Sequence, residues 1–577
     1  MRLAPADEGR LSRLAALLLF LGVLVVFWPL SRADYLNYDD PVFIQLNRRL
    51  DAGFTWENVD WALTANLTHF SPSLEYWSPL TALSRLSDVA LWGKDPHGHH
   101  SVSLVLHGLS AVLLFSALRR LTGRVGVAVW VAAVFAFHPA LVEPVAWLSA
   151  RKDVIYGLTW NLTLLAYAAY ARPASDGGKS PSSRRRYFLL LGAFLLAAMS
   201  KPMVLTLPCV LLLLDLWPLA RIAAPGTAGF WRGLRRPLLE KLPMFGISLG
   251  LAWLAMYSQR GWNAVVPDAV LPLPARLANA VYAYWEYLRL VFWPAGLSPF
   301  HPFVAVIPGW QVGLALAGLL GITALVLWQL GSRPWLAVGW LWFCGVLFPV
   351  SGIVQIGASR LAERYLYVAL PGLVLALTVQ VLEWTGAVPE ARRVKAQRFL
   401  AGVAAALILV MGGFSRHRAG IWQEPTRVWE RSARLYPYSS TVMLQYANAA
   451  WDARHYQVAG PAYGKVLQLD RRNGAALIGL ARMIRSTKDL PRAADVYAQG
   501  LAYAPDISQA QVEYAQVLAA LGRDTEALGV LRTLCARAPY FPDAWFLMAQ
   551  CQSRLGDHAA ALESMDQGWK YLRAAQI

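Results

Sequence analysis

Charge is scarce in this chain of 577 residues: Asp, Glu, Lys and Arg make up 15%, while 56% of positions are apolar and 12% aromatic. So greasy a composition excludes an ordinary soluble protein and indicates an integral membrane protein with something appended. Acidic residues are fewer still, 35 against 53 basic ones, giving a formal charge of +18. The basic excess sits in short connectors, so it argues against nucleic acid as a partner. Only four cysteines are present, too few for a disulfide scaffold. Cys209 and Cys344 fall in apolar runs and read as packing residues, whereas Cys535 and Cys551 lie where an oxidising exterior would permit a bond.

What is present is a succession of apolar segments, near 14–30, 101–118, 125–137, 154–171, 187–199, 203–217, 242–257, 310–329, 335–357, 365–383 and 399–414. They predict about eleven spans, although several fall short of the roughly 20 residues that cross a bilayer. The stretch 277–293, interrupted by Glu286 and Arg289, either crosses the membrane or lies along it. Basic clusters follow the spans at Arg119, Arg120 and Arg124, at Arg184, Arg185 and Arg186, at Arg232, Arg235, Arg236 and Lys241, and at Arg392, Arg393, Lys395 and Arg398. Lys and Arg near span ends mark the cytoplasmic side. With Arg2, Arg10 and Arg13 also inside, the large first loop, 32–98, faces outward, and the C-terminal region emerges outside if 277–293 does not span the membrane. The first run lacks a small-residue cleavage site and reads as a retained anchor.

In that outer loop stands Asn37-Tyr38-Asp39-Asp40-Pro41, two carboxylates just beyond an apolar run that is uncharged from Leu14 to Leu30. Asp before Pro commonly opens a turn. A carboxylate at the outer membrane surface is also where a base is needed if an acceptor hydroxyl is to attack a sugar carried on a membrane lipid.

After about residue 420 the composition shifts to helix formers, and a period appears. Ala447, Ala481, Ala515 and Ala549 are 34 residues apart, as are Ala459, Ala493, Ala527 and Ala561. Pro437, Pro505 and Pro539 fit the same frame, with Arg471 at the remaining position, and Tyr463 and Tyr497 add a further match. Small residues at two fixed contact positions in a 34-residue repeat are the tetratricopeptide signature. The expectation is therefore an all-α chain: a polytopic transmembrane helical domain over 1–418, then a tetratricopeptide α-solenoid over 419–577. Such an array commonly binds peptide or protein. It serves either as a plain scaffold or as a docking arm.

Further polar groups collect where spans meet the surface. Tyr76 to Gly93 places Ser84, Arg85 and Asp88 among apolar positions, as on an interfacial helix. His138-Pro139 precedes Glu143, Trp147 and the run Arg151-Lys152-Asp153; Lys201-Pro202 separates two apolar runs; and Glu363-Arg364-Tyr365 opens a span. Charges this close to lipid are costly unless they pair or serve a ligand. Arg364, Lys201 and Arg151 are candidates for holding a lipid-linked phosphate, with Glu143 and Asp153 orienting acceptor or sugar. Taken singly, each also has a plain reading as a snorkelling side chain or local ion pair. His69, His97, His99, His100 and His107 lack a second recognisable ligand pair, so no metal site is expected; a divalent cation is not indicated by any motif.

The ordered set Asn-Tyr-Asp-Asp-Pro, Tyr-Trp-x-Pro-Leu-Thr, Leu-Trp-Gly, His-Pro-x-x-x-Glu-x-Val-Ala-Trp, Lys-x-x-x-x-Thr-Leu-Pro and Glu-Arg-Tyr-Leu-Tyr, followed by the repeats, resembles the transmembrane and tetratricopeptide-repeat protein O-mannosyltransferases and their bacterial relatives. The resemblance covers nearly the whole chain. It implies a multispanning glycosyltransferase of the C superfamily that takes mannose or a similar hexose from a polyprenyl phosphate and inverts the anomeric carbon. It also implies an inner-membrane location with the site on the periplasmic side. The family's acidic loop motif maps onto Asp39 and Asp40, its His-Pro segment onto His138 and Glu143, and its Arg-Tyr segment onto Arg364 and Tyr365, with Glu363 adjoining. Ser78 stands where many relatives have Arg, and Pro202 follows Lys201 where an acidic residue is usual.

The expected reaction is a single displacement in which Asp39 or Asp40 takes the proton of a Ser or Thr hydroxyl, the lipid phosphate departs toward Arg364 and Lys201, and a protein acceptor is docked by the repeats. The competing readings are a membrane-anchored scaffold without catalysis and a polysaccharide polymerase or ligase. A transporter would want its polar residues near the bilayer midplane, whereas these sit at span ends.

Overall fold

The computed structural model describes residues 5–68, 71, 74, 76–171, 182–223, 226, 227, 229–261, 264–303 and 307–574. His69 lies outside them. The fold is helical as expected: among the described residues the only ladder is a short antiparallel pairing of His301–Pro302 with Ser359–Leu361. The chain falls into two compact units, Met1–Ile44 with Phe54–Glu424, and Gln45–Gly53 with Pro425–Ile577.

In the first unit, six helices among the described residues are long and apolar enough to cross a membrane: Asp7–Arg32, Pro96–Thr122, Phe230–Gly261, Gly309–Trp328, Glu363–Gly386 and Glu390–Ile421. The pair Val125–Phe137 and Pro139–Ala146 makes a seventh if taken as one span bent by 57°, and shorter apolar helices cover Pro202–Leu216 and Pro334–Val350. Arg151–Ala171, Ser182–Ala198 and Leu273–Phe292 are also helical. The Glu363–Gly386 helix is mostly enclosed by its neighbours, whereas Gly309–Trp328 and Glu390–Ile421 turn most of their length outward. Leu14, Leu18, Val25, Leu320 and Leu409 are correspondingly exposed, as side chains solvated by lipid must be. Helices approach closely at glycines. A Cβ on Gly339 would meet the Gly372 carbonyl oxygen at 2.4 Å, so the Pro334–Leu347 helix can lie against its neighbour only because both residues lack side chains.

Proline decides where the apolar rods break. It has no N–H, and it disfavours helical backbone in the residue before it. His138, ahead of Pro139, is extended at φ −71° and ψ 128°; Lys201, ahead of Pro202, is extended at φ −159° and ψ 140°. Asp40 and Glu143 also precede prolines but stay helical, Glu143 within the short Val142–Ala146 helix that follows the break at Pro139. These interruptions carry polar side chains to the ends of apolar helices, and the site is assembled from them.

The Pro79–Trp92 helix inverts the interfacial expectation. Arg85 and Asp88 are buried and Leu91 and Trp92 are exposed, because Asp88 finds its partners, Arg151 and His99, inside the bundle.

Besides Gln45–Gly53, the second unit holds the Pro425–Leu435 helix and four helix pairs: Ser440–Asp452 with Tyr456–Leu469, Gly474–Ser486 with Leu490–Tyr503, Ser508–Ala520 with Asp524–Arg537, and Pro542–Arg554 with His558–Ala574. Both alanine columns are buried at the helix contacts. Ser439, Asn473 and Asp489 cap their helices by accepting from the backbone N–H three residues on. Cys535 and Cys551 are free and buried in this core.

Candidate active site

The two loop carboxylates have different environments. Asp40 is 1% exposed. One of its oxygens accepts from the Ser149 backbone N–H at 2.8 Å and from the Ser149 hydroxyl, the other from the Leu36 N–H at 2.9 Å. Burial pushes its pKa up to about 6 against the pull of those hydrogen bonds. Asp39 is half-buried and its carboxylate accepts no hydrogen bond among the described residues. Its backbone carbonyl accepts from the N–H groups of Val42 and Phe43, so the turn is held while the side chain is left over. Burial raises the Asp39 pKa above the ordinary carboxylate value, opposed by the positive charges of Lys152, Arg364 and Arg85.

Arg364 is held from beneath by Glu143, which is fully buried after the bend at Pro139. One Glu143 oxygen takes the guanidinium Nη1 at 2.7 Å and the other takes the Arg364 backbone N–H at 3.1 Å. The guanidinium lies 5.0 Å from the centre of the Trp147 ring and 5.4 Å from that of Tyr365, within cation–π range of both. Its Nη2 has no hydrogen-bond partner among the described residues, and its side chain keeps 19% exposure. Tyr38, beside Asp39 in sequence, meets the same Trp147 ring at 5.9 Å.

Lys201 completes this side of the cluster. Its ammonium pairs with Asp153 at 2.5 Å and lies 5.1 Å from the Tyr365 ring centre. The other Asp153 oxygen is buried with no partner among the described residues. Lys152 sits over the Tyr76 ring at 5.8 Å.

Thus Arg364 links Glu143, Trp147 and Tyr365, Lys201 joins Tyr365 to Asp153, and Asp39 lies within electrostatic range of Arg364, while four of the predicted residues are committed elsewhere. Asp40 anchors the loop. Arg151 is 2% exposed and gives its donors to Asp88 at 2.8 Å and to Ser103, Ser84 and the His99 carbonyl. His138 caps the turn after it, Nδ1 accepting from the Ala140 N–H while Nε2 donates to the Val291 carbonyl. Glu363 pairs with Arg418 and His301 and accepts from the Ser298 N–H. Among the described residues no group of three or more His, Cys, Asp or Glu could hold a metal ion.

Sequence reasoning missed Lys152, Tyr38 and Trp147 as neighbours of the loop carboxylate. A signal existed for Lys152, because adjacent residues at the start of a helix point about 100° apart: the inward direction of Arg151 leaves Lys152 toward the loop.

Tetratricopeptide-repeat profiles match residues 444–501 and 508–551. The chain is similar to protein O-mannosyl-transferase TMTC1 of Homo sapiens, 23% identical over 457 residues, covering 72% of this chain and 50% of the relative. It is 25% identical over 464 residues to protein O-mannosyl-transferase TMTC4 of Mus musculus, covering 70% and 60%. A shorter match, 32% identical over 168 residues, is to protein O-mannosyl-transferase Tmtc2 of Drosophila melanogaster, covering 28% and 17%. These relatives bear out the resemblance carried by the ordered motifs. The chain spans about half the length of the first of them. Among solved structures, ArnT from Cupriavidus metallidurans bound to undecaprenyl phosphate is 15% identical, covering 88% of this chain and 81% of that one with a TM-score of 0.35. The tetratricopeptide protein YrrB is 17% identical, covering 26% and 82% with a TM-score of 0.23.

Proposed function

We propose that this relative of the protein O-mannosyl-transferases moves a hexose from a polyprenyl-phosphate donor to Ser or Thr hydroxyls of exported polypeptides, at the exocytoplasmic face of the membrane. Asp39 is the base. The observation that carries the reading is the contrast within the acidic pair: Asp40 has three donors on its carboxylate and Asp39 has none, while Asp39 feels the charges of Arg364 and Lys152.

In the proposed displacement, the acceptor hydroxyl gives its proton to Asp39 as its oxygen bonds to the anomeric carbon. The bond from that carbon to the phosphate oxygen breaks, the electron pair leaves on the phosphate, and one displacement inverts the centre. Arg364 offers Nη2 to the departing phosphate while Glu143 holds Nη1, so the cation is oriented before the donor arrives. Lys201 adds a second positive charge across the Tyr365 ring. The unpartnered oxygen of Asp153 accepts from a sugar hydroxyl. A base with a pKa raised toward the working pH is the better proton acceptor, and such help is typically worth about 10² to 10⁴ in rate.

The test is transfer of radiolabelled mannose from synthetic polyprenyl-phosphate mannose to a Ser/Thr-containing peptide by the purified protein in lipid nanodiscs. Wild type should glycosylate the peptide, and Asp39→Asn should fall by about 10² or more with its melting temperature unchanged. Full turnover by Asp39→Asn would remove this residue from the role. No transfer by wild type from any polyprenyl-phosphate hexose would end the transferase reading.

A further inference from the structure

Arg360 stands four residues before Arg364, on the segment that leads into the Glu363–Gly386 helix, and the fold treats its backbone and its side chain differently. The backbone is pinned. Ser359–Leu361 pairs with His301–Pro302, the Asn279 amide donates to the Arg360 carbonyl at 3.3 Å, and the Ala362 N–H donates to the Tyr287 hydroxyl at 3.1 Å. Gln355 closes the turn ahead of the strand, its amide donating to the carbonyls of Gly357 and Ser359 at 2.9 Å each.

The guanidinium is left over. Among the described residues it makes no hydrogen bond and no ion pair, and its Nε is buried without a partner. It lies over the Tyr282 ring, 5.6 Å from the ring centre. Arg276, on the same Leu273–Phe292 helix as Tyr282, shows the contrast, for its nitrogens are spent on Asp268 and on the Ile353 carbonyl. A cation beside lipid is costly unless it pairs or serves a ligand. Val354 and Ile356 on the preceding turn, and Leu277 on the helix, expose apolar side chains as a lipid-facing surface does.

A guanidinium over a ring keeps the N–H groups of its own plane for two oxygens at once, the arrangement a phosphate monoester accepts. From Arg360 to Arg364 the backbone spans at most about 14 Å, at roughly 3.5 Å for each residue. A phosphate leaving one fork therefore meets the other after a short slide.

We propose that Arg360 is a second phosphate site, outside the reaction centre, which receives the polyprenyl phosphate after sugar transfer, holds it until the carrier slips back into lipid, and admits the next donor by the same contact. This rests on the transferase reading and adds the exit of its product: Arg364 serves the reaction and Arg360 the release.

The test follows binding of tritiated undecaprenyl phosphate to the full chain in phosphatidylcholine nanodiscs, with no sugar donor present. Arg364→Gln isolates the second site and should still bind the carrier, whereas Arg364→Gln with Arg360→Gln should lose about tenfold or more in affinity, the worth of a charge-assisted hydrogen bond. In sugar transfer, Arg360→Gln alone should raise the donor KM and the inhibition constant of undecaprenyl phosphate by about tenfold, with kcat at saturating donor no lower and the melting temperature unchanged. Tyr282→Ala, which removes the ring and keeps the cation, should weaken binding severalfold in the Arg364→Gln background and carries the comparison if Arg360→Gln does not fold. Equal carrier binding with and without Arg360, displacement by inorganic phosphate or by phosphatidylglycerol as effective as that by unlabelled carrier, or a fall in kcat of Arg360→Gln would each overturn the site. The binding assay contains no sugar, so it is read apart from transfer. Arg360-dependent binding without transfer ends only the transferase reading, and transfer with binding indifferent to Arg360 ends only this one.

Discussion

Asp40 and Ser149 lie 109 residues apart in the chain, yet the backbone N–H of Ser149 donates to the Asp40 carboxylate at 2.8 Å and its hydroxyl binds the same oxygen. This contact fastens the outer loop to the turn that follows Trp147, and it fixes the residue next to Asp39. Replacing Asp40 by Ala leaves the buried N–H groups of Leu36 and Ser149 without an acceptor, at about 1–3 kcal/mol for each unsatisfied group. Asp40→Ala should therefore lower the melting temperature in nanodiscs and reduce the folded yield. Asp39→Asn should do neither, and differential scanning fluorimetry of the two variants separates the roles.

The same pair gives two pH signatures of opposite origin. Asp40, raised by burial from 3.8 to about 6, binds its proton more tightly folded than unfolded. Its contribution to stability is thus fully present below pH 3.8 and is lost as pH rises toward about 6. Asp40→Asn should flatten that slope in a series of melts. For activity the sign is reversed, because Asp39 must be ionised to act as base. The acid limb of kcat/KM should lie above the ordinary carboxylate range, and Lys152→Met, which removes the largest charge holding the Asp39 pKa down, should move that limb to higher pH.

Arg364→Lys keeps a positive charge and loses the planar fork that lets Glu143 hold one nitrogen while another faces the phosphate. Donor KM should rise and kcat fall, together costing about tenfold to a hundredfold in kcat/KM. Glu143→Ala should be worse folded than Glu143→Gln, since the amide oxygen can still accept from the Arg364 N–H. Initial rates at varied donor, corrected for folded fraction, check both.

Arg151→Lys tests the opposite assignment. Its guanidinium is committed to Asp88, Ser103, Ser84 and the His99 carbonyl, so the substitution should lower stability by breaking a buried pair, about 3–5 kcal/mol at the limit. The donor KM of the protein that still folds should be unchanged.

Gly339→Leu should prevent the Pro334–Leu347 helix from seating, because the Gly372 carbonyl lies 2.4 Å from the position of a Cβ. A loss of monodisperse protein in size-exclusion chromatography is the expected result, while Gly331→Leu, where nothing lies within 4 Å, should be tolerated.

Much of this organisation was legible in the sequence where the governing physics is local. The alanine columns at 447, 481, 515 and 549 state the repeat outright, because helix contact distance excludes larger side chains at each one. The proline breaks after His138 and Lys201 were likewise readable, since the restriction acts on adjacent residues. What escaped notice depended on partners far away in the chain. Nothing near Asp40 reveals that Ser149 will occupy it, nothing near Arg151 reveals Asp88, and nothing near Glu363 reveals Arg418. A charged residue at a span end is thus found by sequence, while its assignment to ligand or to scaffold waits on long-range pairing.

That last pairing has a mechanical side. Arg418 stands near the end of the Glu390–Ile421 helix, seven residues before the chain enters the second unit at Pro425, and it is clamped to Glu363, the immediate neighbour of Arg364. The same guanidinium donates to the Pro139 carbonyl, so a shift of this helix end would strain both the break after His138 and the residue next to the cation.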